Sequence, residues 1–190
     1  LKSKDSHSGK ENVTKHTITA IDGNALILGT QPRENHWITH EAKAATLFPV
    51  VTANWATNIS IKDLLIDGNR KENEFLDGNY GGCIFLQDCN EVMIDGVHAV
   101  NNNGDGISWQ VCNDVTVQNC VSSGHAGLGL HPGSGSQRPV IRDNVMTDCD
   151  IGLFWCWGVQ HGLAENNEIR NCHSGISIGH RDSDNVMRHH

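Results

Sequence analysis

From Cys83 onward the chain repeats one short pattern of large apolar and variable residues. Five segments carry it: Cys83-Ile84-Phe85-Leu86-Gln87, Gly106-Ile107-Ser108-Trp109-Gln110, Gly127-Leu128-Gly129-Leu130-His131, Gly152-Leu153-Phe154-Trp155-Cys156 and Gly175-Ile176-Ser177-Ile178-Gly179. In each, the second and fourth residues are large and apolar, while the third and fifth vary among Phe, Ser, Gly, Gln, His and Cys. An alternation of period two predicts a strand with one buried face. The predicted inward column is Ile84/Leu86, Ile107/Trp109, Leu128/Leu130, Leu153/Trp155 and Ile176/Ile178. Segment starts lie 23, 21, 25 and 23 residues apart, and four of the five open with Gly, where the chain must bend sharply.

A second apolar run follows each strand: Val92-Met93-Ile94, Val115-Thr116-Val117, Val140-Ile141 and, more weakly, Leu163-Ala164. Asn90, Asn113, Asn119, Asn144, Asn166 and Asn167 punctuate these runs. Asn tolerates left-handed backbone and its amide can bond the coil above and below, so stacked Asn at turns is the expected device. An earlier coil is read at Asn58-Ile59-Ser60-Ile61, continuing into Leu64-Leu65-Ile66. Asn58 to Asn90 is 32 residues, and the surplus over one coil is assigned to the polar loop Asn69 to Tyr80.

Short strands at this period, with no room for helices between them, predict an all-β fold: a single-stranded right-handed parallel β-helix, a solenoid of about 23 residues per coil. The handedness follows the preference for right-handed crossovers. Residues 1–50 lack the period and are expected to form an entry or cap region, with a hairpin around Asp22-Gly23-Asn24. Residues 51–190 are expected to form the coils. The last coil opens at Gly175 and is unfinished at His190, so the stack is expected to be truncated at its C-terminal end.

Composition narrows the partners. The formal charge is −8, and no Lys/Arg block appears, which excludes nucleic acid and anionic membranes as natural partners. No run approaches the ~18 apolar residues of a membrane span. Seven Cys occur, none in a CxxC pair, so neither a zinc ribbon nor a thioredoxin-like motif is present. Cys89 and Cys112 lie 23 apart, as do Cys149 and Cys172. At one coil of separation they are expected to stack as buried thiols. The scattered His, Cys and Asp lack metal-ligand spacing, and His189 and His190 carry no functional weight.

With its coils laid out, the chain from about Val51 to the end resembles the pectin-lyase-like superfamily of right-handed parallel β-helix proteins. The blocks Asn103-Gly104-Asp105-Gly106-Ile107-Ser108-Trp109-Gln110 and Gly127 to Ser136 are similar to repeat proteins of unassigned function in that group. The resemblance implies a polysaccharide or oligosaccharide partner lying along one sheet. It also implies a secreted, periplasmic or cell-surface protein, although this chain carries no signal segment. Asn103-Gly104-Asp105 and Gly124-His125-Ala126 stand where polygalacturonases carry Asn-Thr-Asp and Gly-His-Gly. The Asp-Asp pair and the Arg-x-Lys of that family are missing, and so is an acidic cluster like the calcium site of pectate lyases. No cofactor is evident, and calcium is left open.

Alternation places Phe85, Ser108, Gly129, Phe154 and Ser177 in one outward column and Gln87, Gln110, His131, Cys156 and Gly179 in the next. Polar groups about 4.8 Å apart along a parallel sheet make a ladder for a sugar chain. His131, Asp105, His125, His180 and Arg181 are the candidate catalytic residues, since a base and a cation beside a sugar carboxylate are what elimination requires. Gln87, Ser108, Gln110, Arg138, Trp157, His161 and Asp182 are the candidate substrate contacts. Three readings stay open: a lyase cleaving an acidic glycan by β-elimination, which leads; a glycoside hydrolase pairing Asp105 with Asp88 or Asp182; and a non-catalytic glycan-binding or structural β-helix with Trp157, Phe85 and Phe154 as platforms.

Overall fold

A computed structural model describes residues 1–190 apart from 6–7, 9–10, 15, 46–48 and 76–80. The chain divides into two compact units, residues 1–47 and 48–190. In the first, Lys2–Lys4 pairs antiparallel with Glu11–Val13, and Ile18–Asp22 pairs with Ala25–Leu28. The second pair is the expected hairpin. Asp22 faces Ala25 across Gly23-Asn24, and Gly23 takes the left-handed φ of 56° that such a tight turn needs.

The second unit is a stack of coils, five with three short strands and a last one with two among the described residues. The first sheet comprises Val51–Asn54, Ile84–Gln87, Ile107–Gln110, Leu128–Pro132, Ile151–Trp155 and Ser174–Ile178. The second comprises Thr57–Lys62, Asn90–Asp95, Asn113–Gln118, Val140–Arg142, Leu163–Glu165 and Val186–Arg188. The third, of which the sequence reading caught only Leu64-Leu65-Ile66, comprises Leu65–Asp67, His98–Val100, Val121–Ser123, Val145–Thr147 and Glu168–Arg170. Each of its strands is three residues long, too short for an alternation to register. Every pairing within the three sheets is parallel.

Two expected registers are corrected. Ile107 pairs with Leu130 rather than Leu128, and Leu130 pairs with Leu153. The inward row therefore runs Ile84, Ile107, Leu130, Leu153, Ile176 at a constant spacing of 23. The run Gly127-Leu128-Gly129-Leu130 offers two Gly-Leu steps, and a slip of two residues keeps every side chain on its own face, so the pattern alone does not distinguish them. At the first coil, Thr57 rather than Asn58 pairs with Asn90. The surplus then falls between the paired residues Asp67 and Ile84, a stretch in which residues 76–80 lie outside the described set.

Side-chain chemistry explains why 23-residue coils close. Trp109, Trp155, Leu86, Leu130 and Leu153 are fully buried, which removes their apolar surface from water. Gly106, Gly129, Gly152 and Gly175 stack one coil apart, and a Cβ on Gly129 would come 2.6 Å from the Gly152 carbonyl oxygen. At the corners, polar and thiol side chains satisfy backbone groups of the next coil. Cys89 N–H donates to Cys112 Sγ and Cys112 N–H to Ser136 Oγ, both at 3.3 Å. Cys120 N–H donates to Asn144 Oδ1 at 2.9 Å, and Asn144 Nδ2 donates to Asn167 Oδ1 at 2.9 Å. All seven cysteines are free thiols, and five of them are buried. Cys89 and Cys112 stack as buried thiols as the spacing implied, and Cys149 is buried beside Cys172, which is itself partly exposed.

Candidate functional site

The corrected register moves His131 by one column. It pairs with Ser108 across the first sheet and its ring stacks on Phe154, with centroids 5.5 Å apart. His131 therefore belongs with Phe85, Ser108, Phe154 and Ser177, while Gly133 takes the place expected for it beside Gln110. That column is not the open ladder expected of it. Phe85, Ser108 and His131 are 3%, 0% and 7% exposed, so Phe85 is no platform and Ser108, which donates to the Ile84 carbonyl at 3.3 Å, is closed to a polymer.

Asp105 reaches this column from the turn before Ile107. Its Oδ2 accepts from His131 Nδ1–H at 2.7 Å, and its Oδ1 accepts from Leu128 N–H at 2.9 Å. Burial opposes a charge on His131, but the Asp105 hydrogen bond and the neighbouring Cys156 outweigh it and raise the ring's pKa to about 9. Nε2 is buried and makes no hydrogen bond.

His125 lies elsewhere. It is buried at the corner between the third and first sheets, where Nδ1 accepts from Asn102 N–H at 3.2 Å and Nε2–H donates to the Ala99 carbonyl at 3.1 Å. Burial pulls its pKa down to about 4. The residue holds a turn closed and does not reach the outer face, so its candidacy as a catalytic base is corrected: the Gly124-His125-Ala126 resemblance marks a corner.

A second group is exposed. Ser134, Trp157 and His180 recur 23 residues apart, at the bend leaving the first sheet in three successive coils, and with Arg181 they line a cleft of about 560 Å³. Trp157 is 59% exposed, and its ring lies 6.2 Å from that of His180 at an interplanar angle of 53°. Trp157 and Arg181 both sit in the left-handed region, with φ of 58° and 65°, which turns the chain outward at these positions. Among the described residues no ion pair engages Arg181.

The remaining candidates scatter. Arg138 is held by Asp114 through two hydrogen bonds of 2.7 and 2.9 Å on the surface. The oxygens of Asp182 accept from Val159 and Gly179 N–H at 2.7 and 2.8 Å, so this carboxylate clamps the turn beneath the cleft and is not offered to a ligand. His161 is exposed at another left-handed bend, and Gln87 and Gln110 pair half-buried along the first sheet. Among the described residues no three His, Cys, Asp or Glu gather as a metal site. Ser134 was missed as a site residue, and the signal available for it was its 23-residue spacing from Trp157.

The chain matches the family model described as right handed beta helix region over residues 6–160 and again over residues 82–189. It belongs to that family. Comparison with curated proteins and with solved structures found no match. The β-helix is an architecture compatible with polysaccharide-active proteins, and it does not by itself fix a chemistry.

Proposed function

We propose that this β-helix protein binds an acidic polysaccharide in the cleft of Ser134, Trp157, His180 and Arg181 and cleaves it by β-elimination. The composition of that lining carries the reading: an aromatic face, a guanidinium and an imidazole, with no carboxylate among them. The Trp157 ring stacks on a sugar face. Arg181 pairs with the uronate carboxylate, which favours loss of the neighbouring proton. His180 takes that proton, the bond to the next sugar breaks as the double bond forms, and the departing oxygen takes a proton from water. A hydrolase needs two carboxyl groups flanking the scissile bond. Neither Asp105 nor Asp182 is available for that role, since the oxygens of both are engaged inside the protein.

The test is incubation with a panel of acidic and neutral polysaccharides, following the ultraviolet absorbance of the unsaturated product together with reducing ends. Signal in both assays, abolished by His180→Asn and with KM raised by Trp157→Ala, is the expected result. Reducing ends without the absorbance mean hydrolysis, and binding without either product means a glycan-binding module. The same panel run with calcium and with a chelator tells whether a metal shares the work of Arg181.

A further inference from the structure

The bend that carries Ser134, Trp157 and His180 continues through the earlier coils as a ridge. Trp55 N–H donates to the Gln87 carbonyl, Asp88 N–H to that of Gln110 and Val111 N–H to that of Ser134, at 3.1, 3.1 and 2.9 Å. In order of coils the ridge presents Trp55, Asp88, Val111, Ser134, Trp157 and His180. Trp55 is 80% exposed, Val111 49% and Trp157 59%. All three sit in the left-handed region, with φ of 51°, 52° and 58°. Elsewhere among the described residues that conformation is held, glycine apart, only by Asn, Asp, Glu, Arg and His. A bulky or β-branched residue is strained there, and an apolar one gains nothing by facing water. Two unfavourable choices therefore coincide three times on one ridge, a combination that points to a bound surface.

Apolar and polar residues alternate along the ridge, so an apolar side chain returns every two coils, about 10 Å at ~4.8 Å per coil. A ribbon-like polysaccharide has the matching character: its successive sugars flip, so a given ring face returns with every second sugar and hydroxyl-bearing edges lie between. A protein partner would instead need a contiguous apolar patch, which Asp88 and Ser134 interrupt. Burial of Phe85, Ser108 and His131 closes the neighbouring sheet face and leaves the bend as the open surface. We propose that Trp55, Val111 and Trp157 form a track on which an acidic, ribbon-like polysaccharide lies along the coil axis, with Trp55 as its remote platform. This rests on the cleft of Trp157, His180 and Arg181 holding an acidic polysaccharide, and it narrows the substrate to a long extended chain. Trp55 stands four coils from Trp157, about 19 Å, and so acts on binding and not on the reacting bond. Asp88 and Ser134 accept hydrogen bonds from sugar hydroxyls between the platforms, and the Asp88 carboxylate disfavours a uronate beside Trp55.

Asn adopts left-handed backbone readily, so Trp55→Asn and Val111→Asn keep the fold and should raise Tm. Native gels cast with polygalacturonate, alginate or hyaluronan, with dextran as the neutral control, read the affinity of the folded chain for each polymer. At least one acidic polymer should retard the wild type. Trp55→Asn should weaken that retardation about fivefold, while kcat on the shortest oligosaccharide cleaved stays unchanged. A lower Tm for both Asn variants would remove the strain argument and overturn the proposal. Retardation weakened by Trp157→Ala but untouched by Trp55→Asn would end the track and leave the cleft standing. Retardation that depends on Trp55 without any unsaturated product would support the track and end the lyase reading. No retardation in any gel overturns the track together with the cleft it extends. A dimer in sedimentation that Trp55→Asn dissociates would give the ridge to a second copy of the chain, and the proposal would fall.

Discussion

Replacing Asp105 by Asn removes the charge facing His131 while leaving Oδ1 to accept from Leu128 N–H; the same charge also favours the protonated form of His125, a smaller effect than that residue's burial. The His131 pKa stands raised from 6.5 to about 9 in the folded protein. Between those values the folded state binds a proton that the unfolded chain releases, so stability declines as pH rises through this window and is fully present below it. A difference of that size corresponds to about 3 kcal/mol. Losing one partner of a buried pair also leaves the other charge uncompensated. Urea titrations of wild type and Asp105→Asn at about pH 6 and again above about pH 9 should show a gap of about 3 kcal/mol that shrinks to less than about 1. A gap that stays constant with pH would mean that Asp105 acts only through the Leu128 N–H bond, and the account of His131 as a held imidazolium would fall.

Two further outcomes follow from particular positions. Leu130→Ala should cost about 3 kcal/mol, because Leu130 is fully buried between Ile107 and Leu153, whereas partly exposed Leu128→Ala should cost less than about 1; equal losses of denaturation midpoint would contradict the observed register. His125 is buried neutral with its pKa lowered from 6.5 to about 4, so the unfolded chain alone takes a proton across that window and stability drops as pH falls through it. Thermal melts of wild type and His125→Asn at descending pH check this, and parallel decline of the two would remove His125 as the cause.

Coil length and inward rows were legible because they are local and periodic. The alternation in Ile107-Ser108-Trp109-Gln110 and the return of Gly every 23 residues report which face is apolar and where the chain bends. Stacked thiols and asparagines were legible for the same reason: a side chain one coil away is a neighbour by construction, as Cys89 and Cys112 are. The third sheet was not legible, since three residues such as Val121–Ser123 complete no more than one and a half alternations.

The candidate site was legible in its parts and not in its assembly. Residue types at His131, Asp105, His180, Arg181 and Trp157 stood out, but the meeting of His131 with Asp105 depends on a two-residue choice inside Gly127-Leu128-Gly129-Leu130. Both registers bury a leucine and both begin with a glycine, so sequence is nearly degenerate between them. Packing decides it: with Gly129 stacked under Gly152, His131 comes over Ser108 and within 2.7 Å of Asp105. The chain therefore encodes a solenoid through repetition alone, while which polar side chains meet is set by how successive coils are seated, a relation between distant residues that no single window of sequence contains.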